Sequence, residues 1–102
     1  MRIIFSSKNV ELTDGLKLFI ERKLTTLQKF TSSGLSNVSI FLNVDRKRKG
    51  TAEDAVVEMV GSVKDKTVTV REHGTSFYQA FFGALTKMRR RLAKEKDRKA
   101  HR

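Results

Sequence analysis

Val38-Ser39-Ile40-Phe41-Leu42-Asn43-Val44-Asp45 sets four aliphatic side chains on every second residue, against serine, phenylalanine, asparagine and aspartate between them. A period of two is that of a strand with one buried face. Downstream, Arg46-Lys47-Arg48-Lys49-Gly50 interrupts the pattern, and Ala55, Val57, Met59 and Val63 resume it. Val56 and Val60 fall on the other side of that second run and blur its period. Asp65 with Lys64 or Lys66 makes a turn, and Thr67-Val68-Thr69-Val70 is rich in β-branched strand formers. Upstream, Arg2-Ile3-Ile4-Phe5-Ser6-Ser7 predicts a short first strand. Between it and the alternating stretch lies a helical pattern: Leu16, Phe19, Ile20, Leu24, Leu27 and Phe30 recur every three or four residues. Thr13 or Asp14 can cap that helix, and Ser32-Ser33-Gly34 stops it. After Gly74, Thr75 or Ser76 can cap a second helix whose apolar stripe is Phe77, Phe81, Ala84, Met88 and Leu92.

The predicted order is strand, helix, three strands, helix. It gives an α+β fold, a two-layer sandwich with a four-stranded mixed sheet and both helices on one face. A crossover through the first helix lays strand one parallel to strand two, and the later strands pair as antiparallel hairpins. The other sheet face is left to water or a partner. With no proline, repeat or low-complexity linker, residues 1–97 are expected to form one domain and 98–102 a short basic tail.

The 102 residues are 38% hydrophobic and 32% charged, which suits a small core under a charged surface. Twenty-two lysines and arginines face 11 acidic residues, a net charge of +11, which points to a polyanion or an anionic membrane as partner. The absence of cysteine excludes a disulfide scaffold, a zinc–cysteine site and a thiol nucleophile, and fits a reducing compartment. No apolar run nears the ~18 residues of a membrane span and no signal-peptide core follows Met1, so a soluble, cytoplasmic protein is expected.

Much of the charge lies in the second helix and beyond it. Nine basic residues fall between Lys87 and Arg102, offset only by Glu95 and Asp97. At about 100° per residue, Lys87, Arg91, Lys94 and Arg98 share one stripe that flanks the apolar one, and Arg90 widens its outer edge. A cationic row beside a buried seam is fixed in direction and suits a track of phosphates. Compensation of the helix dipole accounts for two or three such charges, not nine. Arg46, Lys47 and Arg48 mark the tip of the predicted hairpin, where they either grip a second phosphate strand or simply keep the loop soluble and unpaired. Lys17, Arg22, Lys23 and Lys29 add to the first helix, as RNA contacts or as ordinary helix solvation, with Lys23 close to the apolar edge. An interfacial membrane anchor would also use a basic amphipathic helix. Here Phe77, Phe81 and Met88 are needed to cover the sheet.

No catalytic pattern stands out. His73 and His101 have no metal-ligand spacing, the isolated Gly61 and Gly83 make no phosphate loop, and no GxSxG turn is present. Glu53-Asp54 more simply balances the basic hairpin than forms an acid–base pair. The strands lack the aromatics with which RNA-recognition sheets stack bases, Phe41 being the single candidate. The expectation is a protein that is not an enzyme, with no metal, cofactor or small-molecule substrate.

Several segments in order resemble one family. Val10-Glu11-Leu12-Thr13 is similar to its entry into the first helix, and Phe19-Ile20-Glu21-Arg22-Lys23-Leu24 to its "y-v-e-x-K-L" segment. Leu27-Gln28-Lys29-Phe30 follows in the same register. Phe77-Tyr78-Gln79-Ala80 looks like its "l-Y-x-A" signature, and Lys87-Met88-Arg89-Arg90-Arg91-Leu92 with Lys94 parallels "K-L-x-r-q-L-x-k". The chain thus resembles the ribosome hibernation-promoting factor and ribosome-associated inhibitor family, also called sigma-54 modulation or ribosomal subunit-interface proteins. The resemblance implies a β-α-β-β-β-α fold like a double-stranded-RNA-binding domain with an added strand. It implies a short-form hibernation factor of the stress response that binds small-subunit ribosomal RNA in the decoding channel, across the messenger and transfer RNA sites of idle ribosomes. Such a protein is expected to be a monomer off the ribosome, with no membrane partner. Lys23, Lys87, Arg90 and Lys94 match basic positions of the family's helices; Arg91 and Arg98 join them by stripe geometry alone. One departure is Phe82, where the family usually has aspartate; it either packs under the sheet edge or is exposed for contact. Alternatives are a generic double-stranded-RNA-binding module, a protein-binding transcription modulator and, furthest from the pattern, a nuclease.

Overall fold

The structure, a computed structural model, describes residues 2–30, 35–46, 53–63 and 66–100, with side chains for all of these except 28–30, 46, 53 and 95–100. In chain order the elements are β1 (Arg2–Lys8), α1 (Asp14–Leu24), a 3-10 turn (Thr25–Phe30), β2 (Asn37–Arg46), β3 (Glu53–Val63), β4 (Lys66–Gly74) and α2 (Phe77–Ala100). The four strands form one sheet in the order β1-β2-β3-β4, with β1 parallel to β2 and the two later pairs antiparallel. This is the expected mixed sheet and element order.

Local chemistry accounts for the helix boundaries. Thr13 is the N-cap of α1, its Oγ1 accepting from the Leu16 N–H at 3.2 Å. Asp14 stands in the first turn, at the positive end of the helix dipole. The periodic pattern predicts a helix continuing to Phe30, but the α-helix ends at Leu24 and tightens into the 3-10 turn. Thr25 and Thr26 are the cause at hand. Their hydroxyls donate to the carbonyls of Arg22 (2.7 Å) and Lys23 (2.6 Å), drawing the chain into a tighter turn. Leu27 still reaches the core because three residues of 3-10 helix bring it back under Leu24. Ser76 caps α2: its Oγ accepts from the Gln79 N–H at 3.2 Å, and the Gln79 Oε1 accepts in return from the Thr75 N–H at 2.7 Å.

One apolar cluster joins both helices to one face of the sheet. Leu16, Ile20 and Leu24 of α1 and Phe81, Leu85, Met88 and Leu92 of α2 meet Val38, Ile40 and Leu42 of β2 and Val57 and Met59 of β3. No polar or charged side chain among the described residues is buried. On the opposite face Thr69, Arg71 and His73 are exposed. Val56, only 2% exposed, lies on that face between its strand partners Asn43 and His73. No helix among the described residues is long and apolar enough to cross a membrane.

Candidate nucleic-acid interface

α2 lies over β3 and β4, and its buried seam fixes where its flanks point. Met88 and Leu92 face the sheet, so Lys87 and Arg91, each one residue earlier, fall on the flank beside β4. β4 is an edge strand, and its outward carbonyls need donors. The Lys87 Nζ donates to the Arg71 carbonyl at 3.3 Å, and the Arg91 Nη1 donates to the Thr69 carbonyl at 2.5 Å. Lys87 also pairs with the Glu72 Oε2 at 3.0 Å. That bond, reinforced by the His73 N–H, holds the Glu72 carboxyl below its ordinary range.

The result is a shallow groove of about 380 Å³ between the β4 edge and α2, lined by Thr69, Val70, Arg71, Lys87, Arg90 and Arg91. Four of these six residues are cations, and Glu72 offsets one of them. Lys94, exposed, continues the flank three residues after Arg91. Arg90 and Lys94, four apart, repel each other by a few tenths of a kcal/mol, and no ion pair to either is formed among the described residues. Cations held this close, with Glu72 as the one counter-charge among the described residues to those lining the groove, can bind successive phosphates.

The structure therefore brings Lys87, Arg90 and Arg91 together, with Lys94 beside them. Arg98 follows in α2, on the same flank by helical spacing, but its side chain is not described. Arg22 and Lys23 are exposed on α1, across α2 from this groove. Phe19 of α1 packs edge-to-face on Tyr78 at 4.9 Å, and Tyr78 is nine residues, about 180° of helix, from Lys87. Lys23 sits over the Phe19 ring, its Nζ 5.9 Å from the centroid. Lys29 lies in the 3-10 turn and Arg46 at the end of β2, both with undescribed side chains, and Lys47 and Arg48 fall outside the described residues.

Arg71 and Glu72 are site residues that the sequence pattern did not single out. The β-branched run predicts a strand only to Val70, but β4 continues to Gly74 through Arg71-Glu72-His73. The signal was present as a continued alternation, with Val68, Val70 and Glu72 on the inner side. Elsewhere, the His73 Nδ1 lies 3.6 Å from the Asp54 Oδ2 on the open face. Among the described residues no three histidine, cysteine or acidic side chains cluster to hold a metal.

Comparison with known proteins fits this architecture. A ribosome hibernation promotion factor of Mycobacterium tuberculosis is 28% identical over 97 residues, 95% of this chain and 44% of that protein. The chain thus spans less than half the length of that relative. A ribosome hibernation promoting factor of Escherichia coli is 26% identical over 98 residues, 96% of both chains. Among solved structures, a ribosomal subunit interface protein from Coxiella burnetii superposes with a TM-score of 0.83 at 18% identity, covering 95% of this chain and 99% of that one. The N-terminal domain of Protein Y from Thermus thermophilus gives 0.77 at 21% identity, covering 92% and 98%. At such identities both share the fold. The family model described as Sigma 54 modulation protein / S30EA ribosomal protein matches residues 3–100, so the chain belongs to that family.

Proposed function

We propose that this protein is a ribosome hibernation factor, one that binds small-subunit ribosomal RNA in the decoding channel. It keeps idle ribosomes out of translation by occupying the messenger and transfer RNA sites, without catalysing a reaction. The observation that carries this is the cationic groove between α2 and the β4 edge, in a chain of net charge +11. The names of the relatives support the ribosome as target.

Phosphate neutralisation makes binding steeply salt-dependent. With about six contacts and ~0.7–0.9 per phosphate, the log–log slope is roughly −4 to −5. Purified protein is expected to sediment with ribosomes at low salt, to be released at high salt, and to inhibit cell-free translation. The double variant Arg90→Glu/Lys94→Glu, which touches no hydrogen bond to β4, is expected to lose co-sedimentation while melting no lower than the wild type. Retained co-sedimentation in that variant would sink the assignment of this groove. Equal affinity for small subunits and for a simple RNA duplex would instead favour a generic duplex-binding module.

A further inference from the structure

On its other flank α2 presents two aromatic rings to water, with the partly exposed Arg89 two turns after Phe82 on the same side. Tyr78 and Phe82 are one turn apart, so they stand one behind the other on the side of α2 that faces α1. They are among the most exposed large apolar side chains described, at 50% and 56%. Phe82 is thus exposed, not packed under the sheet edge. Tyr78 is braced from below: Phe19 meets it edge-to-face, and Phe19 in turn meets the buried Phe81 at 5.8 Å. Beside Tyr78 the surface sinks into a recess of about 290 Å³ lined by Leu16, Val44, Ala55 and Phe77 among others. The flank of α1 that faces this furrow carries Phe19, Arg22 and Lys23, while Asp14 and Glu21 lie on the opposite flank by helical spacing. Between Phe77 and Lys94, α2 contains no acidic residue.

An exposed ring braced by packing, a second ring one turn on, and cations rather than carboxylates on the facing helix flanks are how proteins receive unpaired nucleotides. Each base stacks on a ring while the backbone meets the positive charge. A protein partner would find the rings equally apolar, but it would need strongly acidic character to approach Arg22 and Lys23 on a chain of this net charge. We propose that the furrow between α1 and α2 is a stacking site for unpaired RNA bases, with Tyr78 and Phe82 as its platforms. This rests on the RNA-binding function above and adds a second, chemically different contact surface to it.

Tyr78 is the chain's single tyrosine and there is no tryptophan, so intrinsic fluorescence reports on the furrow directly. Titration with a single-stranded 12-mer of adenylate is expected to quench that emission, and a blunt duplex of equal length to leave it unchanged. Loss of one stacking ring corresponds to about fivefold to a hundredfold weaker binding, and this is expected of Phe82→Ala. Phe82→Tyr restores affinity, and the salt slope of all three proteins is the same. Because Phe82 is exposed, the alanine variant is expected to melt with the wild type, which a thermal scan checks. Unquenched emission when labelled 12-mer is fully bound by anisotropy, or wild-type affinity in Phe82→Ala, overturns the proposal and leaves the furrow to an acidic protein. Co-sedimentation of the wild type separates the two proposals. A protein that pellets with ribosomes but shows no quenching retains the ribosomal function and loses the stacking site; the reverse result does the opposite.

Discussion

A methyl group added at Gly83 would come within 2.6 Å of the Glu72 Cγ, so the smallest residue of α2 is what lets the helix lie against that side chain. Alanine there gains about 1 kcal/mol in helix propensity, yet it must push Glu72 off the Lys87 ammonium. Gly83→Ala alone is therefore expected to be no more stable than the wild type. In a Glu72→Ala background the same change should stabilise by roughly 0.5–1 kcal/mol. Urea titration of the four proteins measures the coupling, and simple additivity would refute it. Gly74 differs, because there a Cβ would meet the Ala80 backbone nitrogen at 2.8 Å and nothing flexible can yield. Gly74→Ala should cost about 1–3 kcal/mol. Glu72 also has a pH signature. Its carboxyl is held below the ordinary 4.5, chiefly by Lys87, so its contribution is present above that value and disappears as pH falls through the depressed one. Wild type should melt above Glu72→Gln near neutrality and converge with it in acid. A gap that widens in acid would reverse the assignment.

Among elements, β4 and α2 depend on each other in a way that alternation and helical spacing could not foretell. The sequence patterns located every strand and both helices, because each buries one face and so repeats in its own period. They placed Lys87 and Arg91 beside the seam, but not over β4: which strand ends a sheet is a property of the whole topology, and only an edge strand has carbonyls to offer. The same patterns missed the 3-10 turn after Leu24, where two threonine hydroxyls override an intact leucine spacing. They also left Phe82 open, since the spacing that put it off the stripe could not say whether anything covered it. The edge contacts give Lys87 and Arg91 a structural task that Arg90 and Lys94 lack. Lys87→Glu/Arg91→Glu is expected to lower the Tm as well as ribosome affinity, whereas Arg90→Glu/Lys94→Glu lowers affinity without lowering the Tm. Equal melting of the two double variants would remove the edge-capping role. At the start of α2, Ser76→Ala should cost about 1 kcal/mol, the usual worth of an N-cap, with Gln79 still bonded to the Thr75 N–H.

Over the whole molecule, charge and core are separated. No charged side chain among the described residues is buried, and the 102-residue chain carries a net charge of +11. Folding brings those like charges closer than they are in the open chain, so self-repulsion opposes the native state and salt relieves it. The surface ion pairs work against this trend, but pairs such as Lys87–Glu72 are half-exposed and contribute at most about 1 kcal/mol each. Salt should therefore act in opposite senses on the two equilibria of this protein. Raising potassium chloride from about 50 mM to about 500 mM is expected to raise the Tm by several degrees, while RNA binding falls along the steep slope of counterion release. Inorganic polyphosphate, which binds the folded charge array, should raise the Tm at low salt, and its effect should vanish at high salt. A Tm that falls with potassium chloride would mean that attractive pairs outweigh repulsion in the native state. The excess charge would then be accommodated within the fold, rather than held against it for a polyanion to neutralise.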